Sequence, residues 1–264
     1  ELKKDLPEAN AYICGSDQIW NSFFQNGKDP AFYLNFVPQN RLKISYAASF
    51  AIDKLEDDIK DFVKSNISKL HHIGVRESSG ITILKDLKIN DVTHVLDPVF
   101  LLNKNDWFKL ENNFDIKNDY IFIYDFDSNP LIKFMAEKII KKTGWKIITV
   151  NKNINYADKN FWHLGPDSFL SLIKNAKFVI SNSFHAVAFS IIFEKDFVVF
   201  NRSSKINTRM RDLLNSIGII DVLILDENMI NNHELNTIDY KLVNNFLKVL
   251  ITNSKTYLKN ALKN

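Results

Sequence analysis

His185 is the residue whose sequence context most favours chemistry. An apolar run ends at Ile180 and is followed by Ser181, Asn182 and Ser183, which are common helix N-cap residues, and His185 falls in the first turn of an apolar helix. The N-terminus of a helix presents unpaired N–H groups and a positive dipole end, so it attracts phosphate or carboxylate. A histidine there can donate to an anion or transfer a proton. The alternative is that the polar residues only cap the helix and that His185 packs beneath a loop.

Arginine is scarce in this chain. The 34 basic residues include only five arginines: Arg41, Arg76, Arg202, Arg209 and Arg211. Lysine replaces arginine at little cost unless a planar, bidentate contact is needed, so the retained arginines are candidate ligands of carboxylate or phosphate. Arg76 directly follows an apolar run, and Arg209 opens a helix after Asn207. A local pair between Arg76 and Glu77 is the alternative for the first of them.

Two more polar segments follow apolar runs. In GSDQIWN, Gly15 permits a close backbone approach, and Asp17 is placed to orient a substrate hydroxyl. Trp20 in this segment can stack on a sugar or, as the commoner fate of tryptophan, lie buried. Ser49 ends the small, polar segment YAAS. Asp97, before Pro98, is read as part of a turn.

Composition and motifs exclude several classes of protein. The chain is 45% hydrophobic and 25% charged, which is ordinary for a globular protein, and its net charge of +3 is too weak to indicate nucleic-acid binding. No apolar run approaches the roughly 20 residues of a membrane span. The single cysteine, Cys14, excludes a disulfide scaffold and indicates a reducing compartment. No phosphate-loop, zinc or Cys-x-x-Cys motif occurs, so neither a metal nor a cofactor is predicted.

Short apolar runs alternate with helical patterns along the chain. Strands are predicted at Ala11–Gly15, Leu42–Ala47, Ile73–Val75, Val92–Leu96, Tyr120–Tyr124, Trp145–Val150, Phe178–Ile180 and Phe197–Phe200. Helices are predicted at Lys54–Leu70, Glu77–Lys88, Pro130–Lys142, Pro166–Asn175, Ser183–Phe193, Arg209–Ile217 and Asp239–Leu262. This order predicts parallel sheets, in which ligands bind beyond the carboxyl ends of the strands.

The polar stretch Asn103–Asn118 is the best candidate for a linker. We therefore expect one α/β domain over 1–110, a second over 118–238, and a terminal helix over 239–264. The second domain is expected to hold the donor and the first the acceptor.

Six segments, taken in order, resemble the polysaccharide pyruvyl transferase family. They are CGSDQIWN at 14–21, ISYAASF at 44–50, GVRESSG at 74–80, VLDPVFLL at 95–102, SNSFHAVAFSIIF at 181–193 and NTR at 207–209. The resemblance implies an α/β fold of two Rossmann-like domains facing a cleft, as in GT-B glycosyltransferases. Family members carry further elements before the first of these motifs, so the first domain is expected to lack its initial strand and helix and the chain to be a fragment, a trimmed piece or a degenerate member.

The resemblance also implies a reaction. A pyruvyl group passes from phosphoenolpyruvate, a donor substrate rather than a cofactor, to two hydroxyls of a sugar, leaving a cyclic ketal and phosphate. The expected setting is bacterial capsule or exopolysaccharide biosynthesis in the cytoplasm, with a sugar or lipid-linked oligosaccharide as acceptor and peripheral contact with the inner face of the cell membrane.

The resemblance gives roles to individual residues. His185 matches the catalytic acid/base, and Arg76 and Arg209 match ligands of the anionic donor. The remaining predicted substrate-binding residues are Asp17, Ser49, Asn182, Ser183 and Asn207. Many members have Arg-Leu-His where this chain has Ser183-Phe184-His185, which weakens the expectation of donor binding by the residue at 183.

Two other functions fit the same pattern. One is a GT-B glycosyltransferase that uses a nucleotide sugar, since a diphosphate suits the same helix N-terminus. The other is a truncated, inactive homologue that binds a glycan or a biosynthetic partner.

Overall fold

The computed structural model of the chain describes residues 4–112, 114, 116–150, 154–202, 207–235 and 237–263. The fold is α/β with two parallel sheets, and the chain divides into two compact units. Unit 1 comprises Glu1–Leu101, Ile206–Ser216 and Asn245–Asn264, and unit 2 comprises Leu102–Lys205 and Ile217–Asn244.

Strands and helices alternate through most of the described chain. The strands are β1 (Ala11–Cys14), β2 (Leu42–Ala48), β3 (His72–Val75), β4 (Thr93–His94), β5 (Tyr120–Tyr124), β6 (Lys146–Thr149), β7 (Lys159–Asn160), β8 (Phe178–Ser181), β9 (Phe197–Phe200) and β10 (Leu223–Ile224). The helices are α1 (Asp57–Ile67), α2 (Ser78–Asp86), α3 (Lys104–Phe108), α4 (Pro130–Thr143), α5 (Pro166–Asn175), α6 (Phe184–Ile192), α7 (Thr208–Ser216), α8 (Glu227–Asn232) and α9 (Tyr240–Ala261).

Each unit has its own parallel sheet and its own core. The strand order is β1-β2-β3-β4 in unit 1 and β10-β9-β8-β5-β6-β7 in unit 2. The apolar strand β5 lies between β8 and β6, where both of its faces are covered, which explains why it reads as an uninterrupted apolar run. In unit 1, Trp20 packs in the core with its ring stacked on that of Tyr33, 5.6 Å between centroids. Trp20 therefore has the buried fate and is not a sugar platform.

Most predicted elements are confirmed, and the differences have local causes. The strand predicted over Val92–Leu96 pairs only at β4, and the helix predicted from Lys54 begins at Asp57. The predicted linker contains α3, because the side chain of Asn103 accepts hydrogen bonds from the N–H groups of Asn105 and Asp106 and starts a helix there. Two residues of that linker, Asn113 and Asp115, lie outside the described residues. The two-residue strands β7 and β10 and the short helix α8 were not predicted.

Helix α7 belongs to unit 1 and not, as the sequence predicts, to the second domain. The tie is chemical: Asp212 of α7 accepts hydrogen bonds from the backbone N–H of Ser79, at 2.8 Å, and from the hydroxyl of Ser78, at 3.0 Å. Asp212 thus accepts from a buried N–H group in the first turn of α2, which has no partner within its own helix. The part of α9 from Asn245 onward also belongs to unit 1, and Leu96 N–H donates to Ser254 of that helix.

Candidate functional site

The turn after β1 begins the polar cluster of unit 1. Gly15 has φ +120°, and a Cβ atom there would lie 2.0 Å from the carbonyl oxygen of Tyr46, so only glycine fits. Asp17 follows in the left-handed region with φ 62°, a conformation that aspartate tolerates better than most residues. This backbone path turns Asp17 toward two guanidinium groups.

Arg76 and Arg209 converge on Asp17. Arg76 Nη2 and Arg209 Nη1 donate to the same carboxylate oxygen, Oδ1 of Asp17, at 3.1 and 2.9 Å. On its other side Arg76 Nη1 pairs with Oδ2 of Asp97 at 2.5 Å, and the Ser16 hydroxyl donates to that oxygen at 2.8 Å. The predicted residues Asp17, Arg76 and Arg209 are therefore brought together, and Asp97, which had been read as part of a turn, joins them.

Burial differs sharply across this cluster. The side chain of Arg76 is 2% exposed and that of Asp17 is 59% exposed, while Arg209 and Asp97 are buried. Two guanidinium groups face two carboxylates, so the buried charges are compensated, as buried charges must be. Asp17 is the solvent-facing member of the cluster.

Glu77 fixes the backbone beside this cluster instead of pairing with Arg76. Its Oε1 accepts hydrogen bonds from the Ser49 hydroxyl at 2.9 Å, from Phe50 N–H at 2.8 Å and from Ala51 N–H at 2.9 Å. Burial raises the pKa of Glu77, an effect opposed by the charge of Arg76 and by these hydrogen bonds. Ser49, a predicted substrate-binding residue, is fully buried with its hydroxyl directed at Glu77, so it holds the loop after β2 in place.

Asn207 lies just before α7, and Arg211 lies within it. Asn207 directly precedes the helix, is half-buried, and its carbonyl accepts from Arg211 N–H at 3.3 Å. Arg211 pairs with Asp53 through Nη2 and Oδ1 at 2.6 Å, on the surface of the unit. Arg211 is therefore a surface residue that pairs with a surface carboxylate.

His185 lies in a cavity of unit 2. It is half-buried in the first turn of α6, and Ser183 is the N-cap residue of that helix. Both line a cavity of about 770 Å³. The other lining residues are Tyr124, Asp125, Phe126, Ser128, Val150, Trp162, Leu164, Gly165, Pro166 and Phe169. Since Gly165 and Pro166 open α5, the first turns of two helices face this cavity, a setting that favours an anion.

Asn182 ties the ends of β8 and β5 together beneath the cavity. Its side-chain nitrogen donates to Oδ1 of Asp125 at 2.7 Å and also to Asp127, and its oxygen accepts from Phe126 N–H at 3.0 Å. The residue is fully buried, so this predicted substrate-binding residue serves to position Asp125 and Phe126.

Asp125 is a cavity residue that the sequence analysis passed over. It directly follows the apolar strand β5, the same strand-end signal that pointed to Arg76. Burial raises its pKa; hydrogen bonds from the N–H of Asp127 and the side chain of Asn182 oppose the effect, and the charge of Asp127 adds to it. Trp162 was also missed, because it lies in an irregular segment with no periodic pattern.

The described part of the chain holds no candidate metal cluster and no helix that could span a membrane. In this part of the chain no three His, Cys, Asp or Glu side chains are arranged to hold a metal ion. None of the described helices is long and apolar enough to cross a membrane.

Comparison with known proteins gives one family. The family model described as polysaccharide pyruvyl transferase matches residues 2–204. No curated protein matches the chain.

Three solved structures are similar to the chain at low sequence identity. A trehalose-6-phosphate synthase, OtsA, is similar with a TM-score of 0.52 and 6% identity, over 89% of this chain and 75% of that one. Os79 of O. sativa, solved with UDP and deoxynivalenol-3-glucoside, has a TM-score of 0.44 and 8% identity, over 76% of this chain and 58% of its own length. UGT89C1 of Arabidopsis thaliana has a TM-score of 0.43 and 9% identity, over 98% of this chain and 68% of that one. The chain thus spans somewhat more than half of the rice protein, and the likeness to OtsA supports a GT-B-like two-domain α/β fold.

Proposed function

We propose that this chain, which belongs to the polysaccharide pyruvyl transferase family, transfers a pyruvyl group from phosphoenolpyruvate to two hydroxyls of a sugar. The observation that carries the proposal is the position of His185, in the first turn of α6 and lining a cavity that two helix N-termini face.

The reaction needs proton transfer at two places. One sugar hydroxyl attacks the enol carbon of phosphoenolpyruvate, and the methylene carbon gains a proton. The second hydroxyl then forms the other C–O bond of the ketal as the C–O bond to phosphate breaks. Of the two hydroxyl protons, one is balanced by the methyl group and the other leaves with phosphate. A general acid and a base are therefore required.

His185 takes the acid/base role in this proposal. Histidine is the side chain that most often transfers protons in catalysis, and the N-terminus of α6 favours the phosphate that the reaction releases. Ser183 lines the same cavity, and the proposal assigns it to contact that phosphate.

Arg76 and Arg209 bind an anionic group of the donor in this proposal. Support comes from Asp17, because its carboxylate already accepts hydrogen bonds from both guanidinium groups. Asp17 and Asn207 are assigned to substrate binding beside them. The proposed acceptor is a sugar or lipid-linked oligosaccharide of capsule or exopolysaccharide synthesis. The proposed location of the reaction is the cytoplasmic face of a bacterial membrane.

A nucleotide-sugar glycosyltransferase is the second candidate. The size and aromatic walls of the cavity in unit 2, together with two helix N-termini, suit a nucleoside diphosphate as well. Calorimetry with phosphoenolpyruvate and with UDP-sugars separates the two candidates, since each predicts binding of only one ligand class.

The decisive experiment measures phosphate release from phosphoenolpyruvate with and without p-nitrophenyl hexosides, and looks for the ketal by mass spectrometry. We expect His185→Ala to lower turnover by about 10²- to 10⁴-fold. The control is His72→Ala, which removes a half-buried histidine from β3 of unit 1. Wild-type turnover in His185→Ala rejects the catalytic role, and no acceptor-dependent phosphate release from wild type favours an inactive homologue.

A further inference from the structure

The cavity of unit 2 has more room and more aromatic surface than a small donor requires. Its volume of about 770 Å³ lies within the range of about 300–1,000 Å³ of pockets that bury drug-sized ligands. Phosphoenolpyruvate is a three-carbon acid with one phosphate, and it has no apolar face to set against an aromatic ring. The cavity therefore has room for a second, larger chemical group.

Two aromatic side chains of the cavity are about half exposed to solvent. Trp162 is 52% exposed and Phe126 is 49% exposed, and both line the cavity. Aromatic side chains contribute a large contact area when they are covered. Large exposed rings gathered in one concave site indicate a surface that a ligand covers.

The segments that carry these rings are held in place. Phe126 N–H donates to Asn182, its ring meets that of Tyr124 at 4.8 Å between centroids, and the Arg202 guanidinium lies 4.7 Å from the ring. Next to Trp162, Phe161 N–H donates to the carbonyl of Thr149 at 2.8 Å. A ligand that covers these rings therefore loses little conformational entropy in ordering them.

Polar groups of the same cavity complement the rings. Asp125 and Ser128 lie on the loop after β5, and Ser183 and His185 lie at the start of α6. A hexopyranose has a face of C–H bonds that packs on an aromatic ring, and hydroxyls at its edge that need carboxylate and hydroxyl partners. The lining provides both kinds of surface, and it also holds the proposed acid/base.

We propose that this cavity is the acceptor-sugar site and that Trp162 is the platform on which a hexopyranose ring stacks. This proposal replaces the expectation from the sequence, which gives the acceptor to the first domain. The inference rests on the proposed function, since it identifies the sugar site of the same reaction. In this proposal the carboxylate of Asp125 accepts hydrogen bonds from hydroxyls at the edge of the sugar ring, and Phe126 packs on the apolar side of the sugar.

Trp162 reports on its own site by fluorescence. The chain has four tryptophans, of which Trp20 is buried, Trp107 and Trp145 are half-buried and Trp162 is exposed. We expect methyl glycosides of glucose, galactose or mannose to change the tryptophan emission of the wild-type chain, and the change to vanish in Trp162→Phe. Saturation-transfer NMR with the same glycosides should still detect binding in Trp162→Phe, because the phenyl ring preserves a stacking surface.

Trp162→Ala removes the platform. We expect it to weaken sugar binding about tenfold, in line with the value of an aromatic contact, and to leave phosphoenolpyruvate binding within a factor of about two. The matched control is Phe134→Ala on α4, which removes an exposed ring that does not line the cavity. The control should leave both ligands unaffected.

Three results overturn the inference: no emission change with any glycoside, sugar binding in Trp162→Ala equal to wild type, or a change with UMP but not with a sugar. The last result assigns the cavity to a nucleoside. These readouts need no turnover, so sugar binding that depends on Trp162 stands even if phosphoenolpyruvate is not consumed. Conversely, Trp162→Ala could still form the ketal with an unchanged KM for the sugar. That result would reject the stacking role of Trp162 but would leave the proposed pyruvyl transfer intact.

Discussion

Arg209 and Asp17, 192 positions apart in the sequence, are joined by a charged hydrogen bond of 2.9 Å between Nη1 and Oδ1. Arg76 donates to the same oxygen at 3.1 Å. A carboxylate of the chain itself thus occupies the place where two guanidinium groups converge. An anionic donor that binds these arginines must share them with Asp17 or replace it.

Replacing Asp17 with asparagine should strengthen the binding of phosphoenolpyruvate to the free protein. The variant keeps the shape of the side chain and tolerates its left-handed backbone, but it removes the negative charge that competes for Arg76 and Arg209. A partly exposed charge pair is worth up to about 1 kcal/mol, so we expect Kd in calorimetry to fall by about three- to fivefold.

Asp53→Asn is the control for that measurement, since it removes an exposed carboxylate that pairs with Arg211 in the same unit. It should leave Kd unchanged. Weaker binding in Asp17→Asn contradicts the prediction and makes Asp17 a donor ligand or a structural support.

Part of this cluster could be predicted, because polar residues at the carboxyl ends of parallel strands gather at one edge of a sheet. Asp17 and Arg76 each follow an apolar run, so their approach followed from a parallel sheet with β1, β2 and β3 as neighbours. The approach of Arg209 could not be derived that way. It depends on the return of α7 to unit 1 through Asp212, a long-range contact with no local signal.

The sequence neighbours of a residue do not show all of the contacts that it makes in the fold. Asp97 precedes a proline and accepts from Val99 N–H, as the turn requires, but it is also the buried partner of Arg76. Ser49 and Asn182 follow strands as candidate ligands do, yet both hydrogen-bond other loops beneath the surface. Which polar residue at a strand end faces solvent depends on packing that the sequence pattern does not encode.

Removing Asp97 should destabilise the fold far more than removing a surface partner. Asp97→Ala leaves the buried guanidinium of Arg76 without its closest carboxylate, and breaking a buried pair in this way costs about 3–5 kcal/mol. Asp53→Ala, which breaks the exposed pair with Arg211, should cost about 1 kcal/mol or less. Urea unfolding followed by circular dichroism measures both, and equal losses in the two variants would show that the Arg76–Asp97 pair carries no special weight.

Gly15→Ala should be among the most damaging single-methyl substitutions in unit 1. The new Cβ would lie 2.0 Å from the Tyr46 carbonyl oxygen at a φ of +120°, so the backbone of β2 or of the turn must move. We expect a loss of about 3 kcal/mol or more in the free energy of unfolding. Gly144→Ala is the control for backbone conformation alone, because φ there is +71° and no atom lies within 4 Å of the new Cβ. It should lose about 1–2 kcal/mol, and a similar loss at Gly15 would show that the close approach to Tyr46 is easily relieved.

Glu77 should make unit 1 more stable as the pH falls from neutral toward its ordinary pKa of 4.5. Burial raises the pKa of this carboxyl in the folded chain, so between the two pKa values the folded state binds a proton that the unfolded state does not. The stabilisation is complete below the unfolded pKa and is lost as the pH rises through the folded one.

Glu77→Gln isolates this contribution, because glutamine keeps an oxygen for the N–H groups of Phe50 and Ala51 but cannot titrate. We expect the free energy of unfolding of wild type, measured relative to the variant by urea titration at pH 5 and pH 7, to be higher at pH 5. Glu8→Gln, at an exposed position near the start of the described residues, is the control substitution. A difference of the opposite sign would mean that the charge of Arg76 and the three hydrogen bonds outweigh burial and hold the pKa of Glu77 below its usual value.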